Sequence, residues 1–392
     1  MNIYKELGLK TIINASDTYT RIGGSRMTRE VLKAMNEASE YFVDIVEMSK
    51  KINAEVAGMT HNEAAFISSG AGACMVLTAS SLMTKGDPEL VRILPDTSKC
   101  KQNEIIVFES QTQIPMLPYW HLIELSGAKL VKISSAIEDL NRAITDRTAG
   151  VYYFLANFYE KGLPPLKEII QLCHDKNVRI VIDAAAQLPP KSNLWYYTRD
   201  LGADGIIFSG GKFLKGPQST GLFLGSSEIA DHCYCLSNPN VSIGRPYKVG
   251  KEEYAGIYQA IKQFVESDEN EVKSIQNKNL DKIEEAIADC TELSVKRVHQ
   301  GRLEQDEPML IIDLPEGWTG SDCAKFMYEQ CDPAIDIGCY KPDDPTGKSN
   351  QIFINSINLR DNELLYIADA IKRYISHISK SACGNRIVKR GC

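Results

Sequence analysis

Arg179-Ile180-Val181-Ile182-Asp183 and, further on, Gly205-Ile206-Ile207-Phe208-Ser209-Gly210-Gly211-Lys212 decide how this chain reads. Each begins as a short run of branched and aromatic apolar residues, the composition of a strand buried on both faces. Each then breaks off into residues that carry chemistry. An acid at the end of one such strand and a lysine just past the end of another lie where open α/β sheets bind ligands, outside the carboxyl ends of the strands. A lysine amine condenses with an aldehyde cofactor, and a carboxylate keeps a pyridine nitrogen protonated so that the ring draws electrons. Lys212 and Asp183 together predict pyridoxal 5′-phosphate (PLP). Singly, each has an ordinary alternative: a lysine among glycines is commonly a solvated loop residue, and an aspartate after a Val/Ile run is often a strand-end turn. The ordered set, with a third element upstream, carries the reading.

That third element is Ser68-Ser69-Gly70-Ala71-Gly72-Ala73, between an apolar run at 64–67 and a helical pattern at 72–83. Small residues at a strand-to-helix turn let backbone amides approach an anion at the helix N-terminus, which makes Ser69, Gly70, Ala71 and Gly72 candidates for a phosphate cradle. The turn is neither a dinucleotide GxGxxG nor a P-loop, and steric demand alone makes many such turns glycine-rich. Ser209, three residues before Lys212, is placed to reach the same phosphate. Ala185 is small enough for a ring to lie against the strand end, and equally suits plain tight packing.

Strand-like runs at 64–67, 104–108, 129–133, 150–154, 179–182, 205–208 and 221–224 alternate with helical segments, which predicts parallel βαβ units and a seven-stranded, mainly parallel sheet between helices. Only a short loop separates the last two runs, so antiparallel pairing suits the 221 end. A single entry helix is expected over 27–51, from apolar residues at Val31, Met35, Ala38, Phe42 and Ile45. Helices are expected at 252–264 and 266–288. Runs at 294–297, 309–313 and 352–354 with a helix at 361–375 then suggest a small α+β domain. The expected division is an N-terminal segment 1–55 packing with the small domain, a large cofactor domain 56–259 and a small C-terminal domain 260–392.

The chain has 392 residues, 43% of them hydrophobic and 24% charged, with a formal net charge of −7. The negative balance opposes broad electrostatic binding of nucleic acid. No apolar run reaches membrane-spanning length and residues 1–9 lack the pattern of a signal peptide, so a cytoplasmic location with no membrane partner is expected. The eleven cysteines are dispersed, and the six histidines show no paired-ligand pattern, so reduced thiols and no catalytic metal are expected. Lys389-Arg390 reads as a frayed basic tail.

The series Ile13-Asn14-Ala15, Gly23-Gly24-Ser25, Ser69-Gly70-Ala71, Asp183-Ala184-Ala185-Ala186-Gln187-Leu188-Pro189-Pro190, Ser209-Gly210-Gly211-Lys212, Gly216-Pro217-Gln218-Ser219 and Gly244-Arg245-Pro246-Tyr247-Lys248-Val249-Gly250 closely resembles the selenocysteine synthase-like group of fold-type I PLP enzymes, above all its short ammonia-lyase members. The resemblance implies Lys212 as the Schiff-base lysine, Asp183 as partner of the pyridine nitrogen, and the amides of residues 70–73 with Ser209 as the phosphate site. It also implies a homo-oligomer built from dimers, with Arg245 and Lys248 near the active site; from the residues alone, that loop reads equally well as solvated. Two positions depart from the group. Gln111-Thr112-Gln113 stands where a His-Arg-Asn run is usual, so Gln111 takes the position of the ring-stacking group although an amide neither stacks like imidazole nor transfers protons. Asp17 replaces a common glycine and reads better as a turn residue than as a substrate-facing carboxylate.

The expected reaction is elimination and deamination of an amino acid or amino sugar acid, phosphorylated or not. Racemisation, transamination, selenium or sulfur transfer and a non-catalytic PLP-binding role remain as alternatives. A substrate carboxylate calls for an arginine fork. Arg21, Arg245 and Arg360 are the candidates.

Overall fold

The computed structural model describes residues 2–113, 118–339 and 347–388, with side chains up to 379; Lys389-Arg390 lies outside them. The chain divides into two units, a larger one of Ser25–Ser267 with Leu303–Gln305, and a smaller one of the residues up to Gly24, Asp268–Arg302 and those from Asp306.

The larger unit is built on seven strands: β1 (Ala64–Ser68), β2 (Glu104–Phe108), β3 (Lys129–Ile133), β4 (Thr148–Phe154), β5 (Arg179–Asp183), β6 (Gly205–Ser209) and β7 (Gly221–Gly225). Their order across the sheet is β1-β7-β6-β5-β4-β2-β3. All neighbours pair in parallel except β7, which runs antiparallel to both β1 and β6. The sheet therefore matches the expected mainly parallel form, and the short loop after Lys212 turns the chain back as a hairpin. Every residue of β4 is buried, which is what a central strand covered on both faces requires.

Three helices matter for the site: α1 (Arg29–Ser39), α2 (Ile45–Met59) and α3 (Ala71–Thr84). Every α3 residue from Ala73 to Thr84 is buried, so this helix is packed all round. Its hydroxyls turn inward onto its own backbone, Thr78 Oγ1 donating to Cys74 O at 2.7 Å and Thr84 Oγ1 to Ser80 O at 2.9 Å. A core helix so tightly held gives its N-terminus a fixed aim.

The single entry helix expected over 27–51 is in fact α1 and α2. Thr28 Oγ1 caps α1 by accepting from Val31 N, and Asp44 ends the break by accepting from Val46 N and Glu47 N at 2.9 and 3.0 Å. Helical spacing of apolar residues runs through the break, but a capping aspartate offers the backbone a competing start. The expected domain boundary at 55 also moves, to Gly24. Thr28 Oγ1 donates to Gln263 Oε1 at 2.8 Å and Lys251 Nζ to Ala38 O at 2.6 Å, so α1 is bonded to the helix Lys251–Glu266 within the larger unit.

The smaller unit holds an antiparallel sheet in the order Gln351–Asn355, Met309–Asp313, Ser294–Val298, and a parallel pair of Ile12–Asn14 with Ala334–Asp336. Its core gathers Leu280, Leu310, Ile312, Ile354, Leu364 and Ile371.

Candidate active site

β1, β5 and β6 point their carboxyl ends to one edge of the sheet, so Ser68-Ser69-Gly70, Asp183 and Ser209 meet there by topology. Asp183 is 9% exposed. Its Oδ1 accepts from Ala185 N at 3.1 Å, and Ala185 O in turn accepts from Ser209 N at 3.2 Å, which ties the ends of β5 and β6 together. Burial lifts the Asp183 carboxyl to a pKa of about 6, against the opposing pull of the Lys212 charge and the Ala185 amide. Lys212 thus lies within electrostatic reach of Asp183, as the spacing of the two strand ends predicts.

The loop that presents Lys212 is closed by its own backbone. Gly210 N donates to Thr220 O at 2.8 Å, Gly216 N to Gly210 O at 2.9 Å and Lys215 N to Lys212 O at 2.9 Å. A Cβ on Gly211 would meet the Gln218 backbone at 2.4 Å, so the double glycine before the lysine is a requirement of close chain approach.

Helix α3 begins at Gly70 (φ 109°) with no side-chain cap, which leaves the first-turn amides of Ala71, Gly72 and Ala73 aimed outward. Beside them Ser68 Oγ is buried with no hydrogen-bond partner among the described residues. Sequence spacing points to Ser69 and not to Ser68, whose one signal is its final position in an otherwise apolar strand.

Gln111 is placed differently from expectation. It is buried, and its amide is committed to the chain end of β4: Nε2 donates to Phe154 O at 2.9 Å and Oε1 accepts from Phe154 N at 3.2 Å. A carboxamide suits that two-point bond better than it suits a ring face. Near Asp183 stand instead two tyrosines that no sequence pattern marks, Tyr119 and Tyr159. Burial raises both phenols above their usual pKa, and the Asp183 charge raises them further.

The three arginines fall in different units. Arg245 lies exposed in the turn Arg245–Tyr247 of the larger unit, as does Lys248 after it. Arg21 and Arg360 belong to the smaller unit. Arg21 is ion-paired through one guanidinium nitrogen, Nη2, with the buried Asp336. Arg360 is exposed, its backbone N–H bonded to Glu363. Asp17 accepts from the N–H of Thr18 at 2.6 Å, the bond of a turn residue, and its charge joins burial in raising the Glu307 carboxyl well above its usual range.

Residues 10–237, more than half of the chain, match the model of the aminotransferase class-V family. The chain belongs to that family. Among curated relatives, it is 29% identical over 268 residues to D-glucosaminate-6-phosphate ammonia lyase of Salmonella typhimurium (strain 14028s / SGSC 2262), covering 67% of this chain and 70% of the relative. It is 27% identical over 288 residues to 5′-C-glycyluridine monooxygenase-decarboxylase of a Streptomyces species, covering 71% and 69%. A solved structure of D-glucosaminate-6-phosphate ammonia-lyase superposes with a TM-score of 0.82 over 96% of this chain and 99% of that one, at 22% identity. Sphingomonas wittichii serine palmitoyltransferase gives 0.58 over 93% and 88%, at 13% identity. These likenesses establish the fold-type I architecture.

The cofactor of this class-V chain is pyridoxal 5′-phosphate, and the residues present fit it. An uncapped, glycine-entered helix N-terminus with an orphaned buried hydroxyl suits a phosphate. A buried aspartate of raised pKa suits a ring nitrogen that must keep its proton.

Proposed function

We propose that this class-V chain is a lyase that releases ammonia from an amino acid or amino sugar acid, and that it groups with the selenocysteine synthase-like enzymes. The observation that carries the proposal is Asp183, buried at the strand end with the Lys212 charge beside it. The bound cofactor supplies an electron sink for the pair released when the substrate's Cα–H bond breaks. Asp183 holds a proton at the pyridine nitrogen, and burial makes that proton hard to lose. Lys212 would anchor the cofactor at rest, and its Nζ, when free, would accept the substrate's α-proton. The amides of Ala71, Gly72 and Ala73, with the hydroxyls of Ser68 and Ser209, hold the phosphate. Loss of a β-hydroxyl followed by hydrolysis then yields a 2-oxo acid and ammonia.

The relative of Salmonella typhimurium, named for D-glucosaminate 6-phosphate, supports an amino sugar acid as substrate. Tyr41, Phe42 and Val43, exposed between α1 and α2, form an apolar edge that supports a homo-oligomer. The nine described cysteines are unbridged, the state a reducing cytoplasm maintains, and no described helix is long and apolar enough to cross a membrane.

The test is to incubate the holoprotein with D-glucosaminate 6-phosphate and a panel of β-hydroxy amino acids while measuring ammonia and oxo acid. Equimolar release without an added acceptor is expected. A requirement for a second oxo acid would make the chain an aminotransferase, and exchange of the α-hydrogen without ammonia would make it a racemase.

The phosphate assignment has its own test. A Cβ on Gly221 would meet Gly70 C at 2.2 Å and Ala71 N at 2.5 Å, both backbone atoms that do not swing aside. Gly221→Ala is expected to displace the cradle and weaken PLP binding about tenfold or more in an absorbance titration. An unchanged affinity would move the phosphate elsewhere.

A further inference from the structure

We infer that Gln111 is a positioning residue: it holds the carboxyl end of β4 in register with Asp183, and so sets where that carboxylate meets the pyridine nitrogen. This role rests on the lyase reading above, in which Asp183 keeps that nitrogen protonated.

In a parallel ladder the N–H and C=O of one residue point to the same neighbouring strand, and those of the next residue point to the other. Leu155 N donates to Asp183 O at 2.9 Å, so Phe154 turns its own N–H and C=O away from β5 and toward β2. By that level β2 has ended, at Phe108. Gln111 fills the place of the missing strand. Its carboxamide has the donor and acceptor of a peptide group, and it bonds Phe154 O at 2.9 Å and Phe154 N at 3.2 Å. Its Nε2 also lies 3.5 Å from Tyr159 O, at the end of the turn that follows. On the opposite edge, Gln187 Nε2 donates to Leu155 O at 2.9 Å. Two buried carboxamides thus continue the sheet past the ends of its strands, at the point where Asp183 stands.

Phe154 and Asp183 are register partners, and Val181, two residues before Asp183, shares one core cluster with Phe154 and with Met75 and Leu77 of α3. Alternate residues of a strand share a face, so the Asp183 side chain projects beside Phe154, on the face that carries the helix with the phosphate cradle. Without the Gln111 amide, the N–H and C=O of Phe154, a residue 1% exposed, lose their partners. A buried peptide group so stranded shifts to find others, and the bond from Leu155 to Asp183 shifts with it. A displacement of about 1 Å matters for a group that must meet one ring atom.

The experiment titrates cofactor-free protein with PLP by absorbance in a double-mutant cycle of wild type, Gln111→Met, Asp183→Ala and the double variant. Methionine matches glutamine in length and lacks the amide. Gln111→Met is expected to weaken PLP binding about tenfold with Asp183 present, and by less than about threefold in Asp183→Ala, where the group being positioned is gone. Equal factors in the two backgrounds would make Gln111 merely structural and overturn the inference, as would an unchanged affinity in Gln111→Met. Gln111→His puts back the side chain usual at this position in the resembling group but not the paired amide, so it should bind PLP as weakly as Gln111→Met. Affinity at or above that of the wild type would return position 111 to the ring face. If Gln111→Met yields no folded protein, the cycle is run with Gln111→Glu, whose carboxylate keeps the acceptor for the Phe154 N–H, and the same outcomes decide. Coupling between the two positions in a holoprotein that releases no ammonia would overturn the lyase reading and leave the positioning role standing.

Discussion

Lys212→Ala is expected to bind PLP without the visible band of the lysine-bound cofactor and to lose turnover by roughly 10⁴-fold or more, since the proposed function gives one side chain both the covalent anchor and the base. Borohydride reduction of the wild type, followed by peptide mapping, should place the label on Lys212. Lys215 is the rival by position, three residues on, but it occupies a left-handed turn and faces the charge of Arg26. A label on Lys215, or a residual band in Lys212→Ala, would overturn the assignment. The same variant has a second expected effect. Burial raises the Asp183 carboxyl, and the Lys212 charge opposes that rise more strongly than the Ala185 amide does, so its removal should push the carboxyl higher still in the cofactor-free protein.

Asp183→Asn is expected to cost at least about a hundredfold in turnover, because an amide cannot hold a proton at the pyridine nitrogen against loss. Its effect on the cofactor-free fold should have the opposite sign. The folded pKa of Asp183, about 6, lies above its ordinary value of 3.8. Between those values the folded chain binds more protons than the unfolded one, so this group's contribution is fully present below about pH 4 and is lost as pH rises through 6. The difference corresponds to about 3 kcal/mol at neutral pH. Cofactor-free Asp183→Asn should therefore melt several degrees above the cofactor-free wild type at pH 7 to 8, with the gap closing toward pH 4. A wild type that is equally or more stable at pH 8 would show that Asp183 is not held in a desolvated state, and equal turnover in the variant would remove it from the chemistry. Stability sacrificed at a buried acid is the expected signature of a site that a cofactor completes.

The helix α1 shows why some of this was hidden. Its apolar spacing is legible, but whether it packs with the first or the last part of the chain depends on Thr28 meeting Gln263 and Ala38 meeting Lys251, pairs more than 200 residues apart. Gln111 is a similar case. Its position after β2 made it a candidate for the ring face, and its actual partner, the Phe154 backbone, lies on a neighbouring strand that local pattern does not identify as a hydrogen-bond target. Ser68, Tyr119 and Tyr159 carry no spacing signal at all; they matter through burial and through the Asp183 charge.

By itself, the sequence determined the seven strand runs and the parallel α/β class, and it set Asp183 and Lys212 at or just past strand ends, because strands buried on both faces must be continuous apolar runs. The tertiary structure alone decided the unit boundary at Gly24, the commitment of Gln111 to a backbone and the pairing of Arg21 with Asp336. Those outcomes turn on desolvation and on contacts between segments distant in the chain, and neither quantity is a local property of sequence.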